Sequence, residues 1–384
     1  MVLDEAREGL RGAERGTSLQ TSRLIGSAWI DGIKWKVGEA PVKITSSLLV
    51  LNTHRVFRIS RSKGVRFENL LIRVEDGGEF GLGEAAPSEY FGETPELVQK
   101  GIEKISDSIQ INPMEIQAIG RRLDDLIPES RAAKSAVMMA VYDLVCKRLK
   151  VPLYRFLGLD PTSTPLTSFT LGIDDPYLMK ERALEAMDFP ILKVKLGVDS
   201  DMDIIHAVRE VTDRPIRADV NGAWTVTEAI SKIDRLADLG VELIEQPIYA
   251  GDLEGYGILH EKSPLPIFVD ESVMVAEDIP KLAGKVDGIN IKLVKCGGIW
   301  EALRMVHVAR ACGLKVIVGC MIESSIGITA AAHISPLVDY ADLDGNLLLL
   351  KDPFAGVTVE HGKILLPREW GLGVRKREFW PADG

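Results

Sequence analysis

Eight short apolar segments, each followed by a polar turn and most by an amphipathic helical pattern, constrain the fold of this 384-residue chain more than any other feature. Between Thr164 and Leu350 they read PLTSFTLG, ILKVKLG, PIRADVNG, VELIEQP, PIFVDES, GINIKLVK, LKVIVGC and DYADLDG. Strands separated by helices are parallel and joined by crossovers, and eight is the number that closes a barrel. An open, doubly wound sheet is the rival arrangement. A stronger signal sits at the segment ends, where Lys195, Asp219, Glu245, Asp270, Lys292, Gly319 and Asp342 recur at spacings of 24, 26, 25, 22, 27 and 23. In a (β/α)8 barrel these positions all point into the mouth at the C-terminal face. Any one of them alone would read as a solvated charge at a loop entry.

The barrel run is short against the roughly 250 residues of a typical (β/α)8 domain, so its loops must be short and something else must cover the mouth. The preceding segments supply a cover. From Ile44, ITSSLLVLNT, VFRIS and ENLLIRVED, with turn residues Asp76-Gly77-Gly78, predict an antiparallel meander, and the apolar spacing over 131–149 predicts a helix. GLGEAAP at 81–87 lacks a nucleotide-binding spacing and reads as a strand turn of this cap. The expected organisation is an extension of unassigned role at 1–43, an α+β cap at 44–163, the barrel at 164–350 and a C-terminal segment at 351–384.

A net charge of −10 argues against nucleic acid or an anionic membrane as the main partner. Cys146, Cys296, Cys312 and Cys320 form no C-x-x-C pair and read as reduced, buried thiols. With no signal-peptide pattern and no apolar run of about 18 residues, a cytoplasmic location is expected. His307 and His333 lie on predicted barrel helices in no metal-ligand spacing and read as structural.

Asp219, Glu245 and Asp270 put one carboxylate on each of three consecutive strands. Three convergent carboxylates without cysteine or histidine make a hard oxygen site suited to Mg²⁺ or Mn²⁺. Lysines flank it. Lys193 and Lys195 alternate on the strand before the carboxylates, facing one way about 7 Å apart, and Lys292 stands on the strand after them. One like charge at that distance is worth about 2.4 kcal/mol at an effective dielectric near 20, so Lys193 is expected to tune its neighbour. Amines on opposite sides of a bound substrate suit removal of a proton from one face of a carbon and its return to the other. The metal's charge makes a proton α to a carboxylate removable by stabilising the resulting enediolate.

At these residues the chain resembles the enolase superfamily, and within it the muconate-lactonizing-enzyme subgroup. The matching motifs are KVK at 193–195, DVN at 219–221, EQP at 245–247, DES at 270–272, and NIK followed by CGG between 290 and 298. The resemblance covers the chain from about residue 44 to its end. It implies a modified (β/α)7β barrel with an α+β cap built from the N-terminal part and the C-terminal tail. It also implies Lys195 and Lys292 as the acid/base pair and Asp219, Glu245 and Asp270 as ligands of one Mg²⁺.

Members of that subgroup racemise, epimerise, eliminate or cycloisomerise with much the same residues, so the reaction must be read elsewhere. In its dipeptide epimerases an Asp-x-Asp pair binds the substrate's ammonium, and YADLDGN supplies Asp342 and Asp344. CMIESSIG at 320–327 is similar to the same pattern and places Met321 and Ile322 in the pocket wall, with Glu323 at the end of the seventh strand. Thr170 is a further pocket candidate. The cap loop SRSKG at 60–64 corresponds to the family's side-chain-binding loop, where Arg61 and Lys63 would favour an acidic second residue, as in L-Ala-D/L-Glu.

The expected function is Mg²⁺-dependent dipeptide epimerisation on a small dipeptide, with homo-oligomerisation left open. The rivals are an N-acylamino-acid racemase or o-succinylbenzoate synthase, a muconate-type cycloisomerase, and, from another class, a non-catalytic metal- or peptide-binding barrel.

Overall fold

The structure is a computed structural model that describes residues 29–30, 33–34, 42–108 and 112–378. Residues Met1–Gly38 and Glu39–Gly384 are separate units. In the first, the described residues are a small ladder pairing Trp29 with Lys34 and Ile30 with Ile33. The rest of the extension expected before residue 42 lies outside the described residues.

Three strands, β1 (Lys43–Ile59), β2 (Ser62–Asp76) and β3 (Glu79–Ala85), form the antiparallel cap sheet in the order β1-β2-β3. The antiparallel meander expected from the sequence is present, but its strands are divided differently. ITSSLLVLNT and VFRIS are two halves of β1, interrupted by a register shift between Asn52 and Phe57, and the chain reverses at Ser60-Arg61 instead. Likewise, GLGEA is the body of β3 and not a turn. Helices α1 (Pro95–Ser108), α2 (Ile116–Leu126) and α3 (Arg131–Leu149) complete the cap. Helix α3 starts where Ser130 accepts a bond from Ala133 N–H and is buried on all sides from Ala132 to Cys146. It lies so close to β3 that a Cβ on Gly81 or Gly83 would stand 1.9 Å from the carbonyl oxygens of Ala140 or Ala136. Glycine is required there by contact.

The barrel strands are β4 (Phe169–Leu171), β5 (Leu192–Lys195), β6 (Ile216–Asp219), β7 (Val241–Glu245), β8 (Ile267–Val269), β9 (Gly288–Ile291), β10 (Lys315–Gly319) and β11 (Tyr340–Asp342). They lie side by side in chain order as one eight-stranded sheet, each neighbour parallel. The ring closes where Thr167 bridges Ala341 and Ser168 N–H donates to Ala341 O at 3.2 Å. Each of the first seven strands is followed by an α-helix and β11 only by a 3-10 turn at Gly345–Leu348, which is the (β/α)7β pattern. At the floor, Leu243, Phe268 and Ile317 fill the interior beneath Tyr340, so the barrel is a packed core open at one end. Near the C-terminus, Gly371 exchanges backbone bonds with Val151 and Leu153 just past α3. Among the described residues no helix is long and apolar enough to cross a membrane.

Candidate active site

Strand register assembles the mouth. Lys195, Asp219 and Glu245 are direct partners across β5, β6 and β7, and Asp270 follows β8 two residues beyond Phe268, the partner of Glu245. Lys292 follows the last residue of β9. All five side chains are buried. The two lysines of ILKVKLG share one acceptor, since Asp219 Oδ2 lies 3.0 Å from Lys193 Nζ and 2.6 Å from Lys195 Nζ. Lys193 also reaches Glu245 at 2.8 Å and Asp342 at 2.6 Å. Burial alone would push Lys193 down, but these carboxylates outweigh it and hold it well above the usual lysine range. Lys193 is therefore a buried, charged brace, and the tuning expected of it is offset by the acids around it.

On the far side Asp270 pairs with Lys292 at 2.8 Å and with Lys295. Burial opposes the charge of Asp270, yet these two ammonium groups hold its carboxyl well below the usual range. Glu245 is different. Burial and the neighbouring Asp219 push it up, so negative charge at the centre of the cluster is incompletely answered. Among the described residues no carboxylates close into a ready-made cage, because ammonium groups stand between them. The donors are nevertheless all oxygen, sit on adjacent strand ends and demand positive charge, which fits a hard divalent cation.

Two aspartates occupy the opposite wall. Asp342 accepts from Lys193 and, at 2.9 Å, from Ser168 Oγ. Asp344 accepts from Thr170 N–H at 2.5 Å and Thr170 Oγ1 at 3.2 Å. Burial and the adjacent Asp342 push Asp344 up to about 7, so its charged form is disfavoured where no cation stands beside it. Thr170, Met321 and Ile322 line the same cavity of about 580 Å³, with Phe57, Ile59, Phe67, Tyr90 and Phe91 contributed by the cap. Met321 Sδ is 4.0 Å from Lys292 Nζ.

Arg61 and Lys63 also line this cavity, but they differ. The Arg61 guanidinium pairs with Glu271 at 2.6 Å and lies over Tyr90, so its charge is already answered. Lys63 has no ion pair among the described residues. The expectation that both cations are open to an acidic side chain is therefore corrected for Arg61, whose guanidinium is already engaged by Glu271 and Tyr90.

Several supporting residues escaped the sequence reading. Gln246 accepts from Asp270 N–H at 2.8 Å, Asn290 donates to Glu245 at 2.8 Å, and Asn221 lies between Asp219 and Lys195. Each stands inside a quoted motif, and an amide in a buried strand end was the available signal. Glu84 had none. It reaches from β3 into the barrel, accepting from Ser324 N–H at 2.9 Å, Ser324 Oγ at 2.6 Å and Gly327 N–H at 3.1 Å, which caps the helix α4 (Ser325–Ala332). Asn69 beside it donates to Glu84 at 2.8 Å and to Ile322 O at 3.0 Å. Of the four thiols, Cys146 and Cys296 are buried, while Cys312 and Cys320 are only half-buried and Cys320 lines the cavity, which corrects the uniform expectation. His333 is buried between Tyr154 N–H and Leu372 O and is structural.

Comparison with known proteins agrees with this geometry. Residues 45–158 match the mandelate racemase / muconate lactonizing enzyme N-terminal domain, and residues 178–380 match the enolase C-terminal domain-like family. The chain belongs to the mandelate racemase / muconate lactonizing enzyme family of the enolase superfamily. It is 41% identical over 345 residues to an L-Ala-D/L-Glu epimerase of Bacteroides thetaiotaomicron, covering 89% of this chain and 90% of that protein. It is 40% identical to a hydrophobic dipeptide epimerase of a Flavobacteria bacterium, covering 84% of this chain and 96% of the relative. Among solved structures it resembles the dipeptide epimerase of Enterococcus faecalis complexed with Mg and L-Leu-L-Tyr. The TM-score is 0.83 and the identity 34%, covering 88% of this chain and 99% of that one.

Proposed function

We propose that this chain is a Mg²⁺-dependent dipeptide epimerase that inverts the α-carbon of the second residue. The observation that carries the reading is the pair of buried amines, Lys195 on Asp219 and Lys292 on Asp270, set on strands at either side of one carboxylate cluster. A binding protein has no use for that pairing. Asp219, Glu245 and Asp270 would hold Mg²⁺, whose charge, when it is bound beside the substrate carboxylate, acidifies the α-proton.

The chain's own groups do the rest. Lys195 takes the α-proton on one face while Lys292 delivers one to the other, and the reverse reaction exchanges the roles. Lys193 stays charged and braces Asp219, Glu245 and Asp342. Asp342 and Asp344 attract the substrate's ammonium, which favours a free dipeptide over N-acylated or polyanionic substrates. Apolar cap residues, with Met321 and Ile322, enclose the side chains and exclude water. Lys63 keeps an acidic second residue as our choice of substrate class. The four free thiols support a cytoplasmic location within the same proposal.

Incubating L-Ala-L-Glu and L-Ala-L-Leu with enzyme and Mg²⁺ in D₂O tests this. Deuterium is expected at the α-carbon of the second residue, faster for the acidic peptide. Absence of exchange across a dipeptide library would sink the epimerase reading, while faster exchange of the leucine peptide would move the specificity to apolar side chains.

A further inference from the structure

We propose that Arg61 is a positioning residue for Lys195, fastening the tip of the cap hairpin to the barrel and, through Asn221, holding that lysine at its face of the substrate. The inference rests on the epimerase reading above and adds to it a residue that acts through another.

The path is continuous. Arg61 sits in the two-residue reversal between β1 and β2, where Ile59 pairs with Ser62. Its Nη2 lies 2.6 Å from Glu271 Oε1, its Nη1 donates to Asn221 O at 2.9 Å, and its guanidinium carbon stands 4.0 Å above the Tyr90 ring. The Glu271 side chain is only 1% exposed, and the same Oε1 accepts from Asn221 Nδ2 at 3.1 Å. Asn221 N–H donates to Asp219 Oδ1 at 3.1 Å. Backbone oxygen, backbone N–H and side-chain amide nitrogen of Asn221 are thus each held. Its remaining polar atom, Oδ1, lies 3.4 Å from Lys195 Nζ.

Asn221 also has φ 51°, in the left-handed region. A non-glycine residue stays there only where its surroundings over-determine it, and two of the groups that do so, Glu271 and Asn221 O, are gripped by Arg61. The outer flank of the hairpin is docked separately, by Ile173 N–H donating to Arg58 O at 2.8 Å. A guanidinium answered by a buried carboxylate and covered by a ring has little left for a substrate carboxylate. Lys292 is held by Asp270, which neighbours Glu271 in the chain but is itself fixed without Arg61, by Lys295 and by its own N–H donated to Gln246 Oε1 at 2.8 Å, whereas Asn221 Oδ1 meets Lys195 itself. The effect of Arg61 should therefore be one-sided.

Exchange in D₂O reads that sidedness, because each epimer loses its α-proton to one lysine. Lys195→Ala first identifies the epimer that depends on Lys195. In Arg61→Met, exchange of that epimer is expected to fall about 10-fold, while exchange of the other stays within about 2-fold. Glu271→Gln should reproduce the bias. If Arg61→Met does not fold, Arg61→Lys, which keeps the charge and loses the two-pronged geometry, carries the same expectation. Equal loss for both epimers would overturn the proposal in favour of a general structural role. Loss confined to acidic dipeptides, without epimer bias, would overturn it in favour of a substrate receptor. Failure of the wild-type protein to exchange any dipeptide is a separate result, and refutes the epimerase reading instead.

Discussion

The cap meets the barrel mouth at two joints built in opposite ways. Beside Lys292, Glu84 and Asn69 reach the loop that carries Met321 and Ile322 through a network closed to water, in which Glu84 is wholly buried. Beside Lys195, the joint is the partly exposed Arg61, whose guanidinium rests on a buried acid. Removing a partner inside the first network leaves several buried polar groups unsatisfied, whereas loss of the partly exposed Arg61 leaves one buried acid, Glu271, which keeps Asn221 Nδ2 as a donor. The buried joint should therefore govern stability, and the rim joint catalysis.

The largest effects that test this comparison fall on the lysines behind the two joints. Lys292→Ala and Lys195→Ala should each lower epimerisation by at least about 10³-fold, with each variant still exchanging the α-proton of the opposite epimer. Full epimerisation by either would refute the two-base arrangement. Next comes the end shared by both. Asp344→Asn should cut kcat/KM for dipeptides by about 30-fold and leave N-acetylated amino acids within about 3-fold, as measured by steady-state kinetics. Equal losses for the two substrate types would remove Asp344 from ammonium binding.

The buried joint itself is probed by Glu84→Ala, expected to cost about 3 kcal/mol in chemical denaturation because the α4 N–H groups and Asn69 lose their acceptor. A change below about 0.5 kcal/mol would make the two joints alike.

An effect of similar size is a pH dependence at the same joint. Burial and the neighbouring Glu84 push Glu323 up to about 8. A carboxyl whose pKa is raised on folding adds stability below its unfolded value near 4.5, and that contribution is lost as pH rises through about 8. Glu323→Gln should then match the wild type in Tm at pH 5 and exceed it by roughly 5 °C at pH 9. A constant difference across that range would assign the effect to packing.

Much of the barrel was legible because its information is local and repeated. Strand, turn and helix patterns recur, and the residue ending each strand lands at the mouth whatever the loops do, which is why Lys195, Asp219, Glu245, Asp270 and Lys292 could be chosen in advance. The cap was read less well. A register shift between Asn52 and Phe57 leaves β1 continuous, and the polar residues Thr53, His54 and Arg55, which break the apolar run there, concealed it. Glu84 looked like part of a glycine-rich turn because its partners, Ser324 and Gly327, lie 240 and 243 residues away.

The sequence by itself determined the alternation that closes a barrel and the chemical types at its strand ends, since periodicity and residue type are properties of short stretches. Only the tertiary structure decided what those charges do to one another. Whether Lys193 tunes or braces depends on three acids from three other strands, and whether Arg61 meets a substrate or a buried glutamate depends on where a cap hairpin comes to rest. Electrostatic energy follows distance and burial, and both are set by packing between segments far apart in the chain.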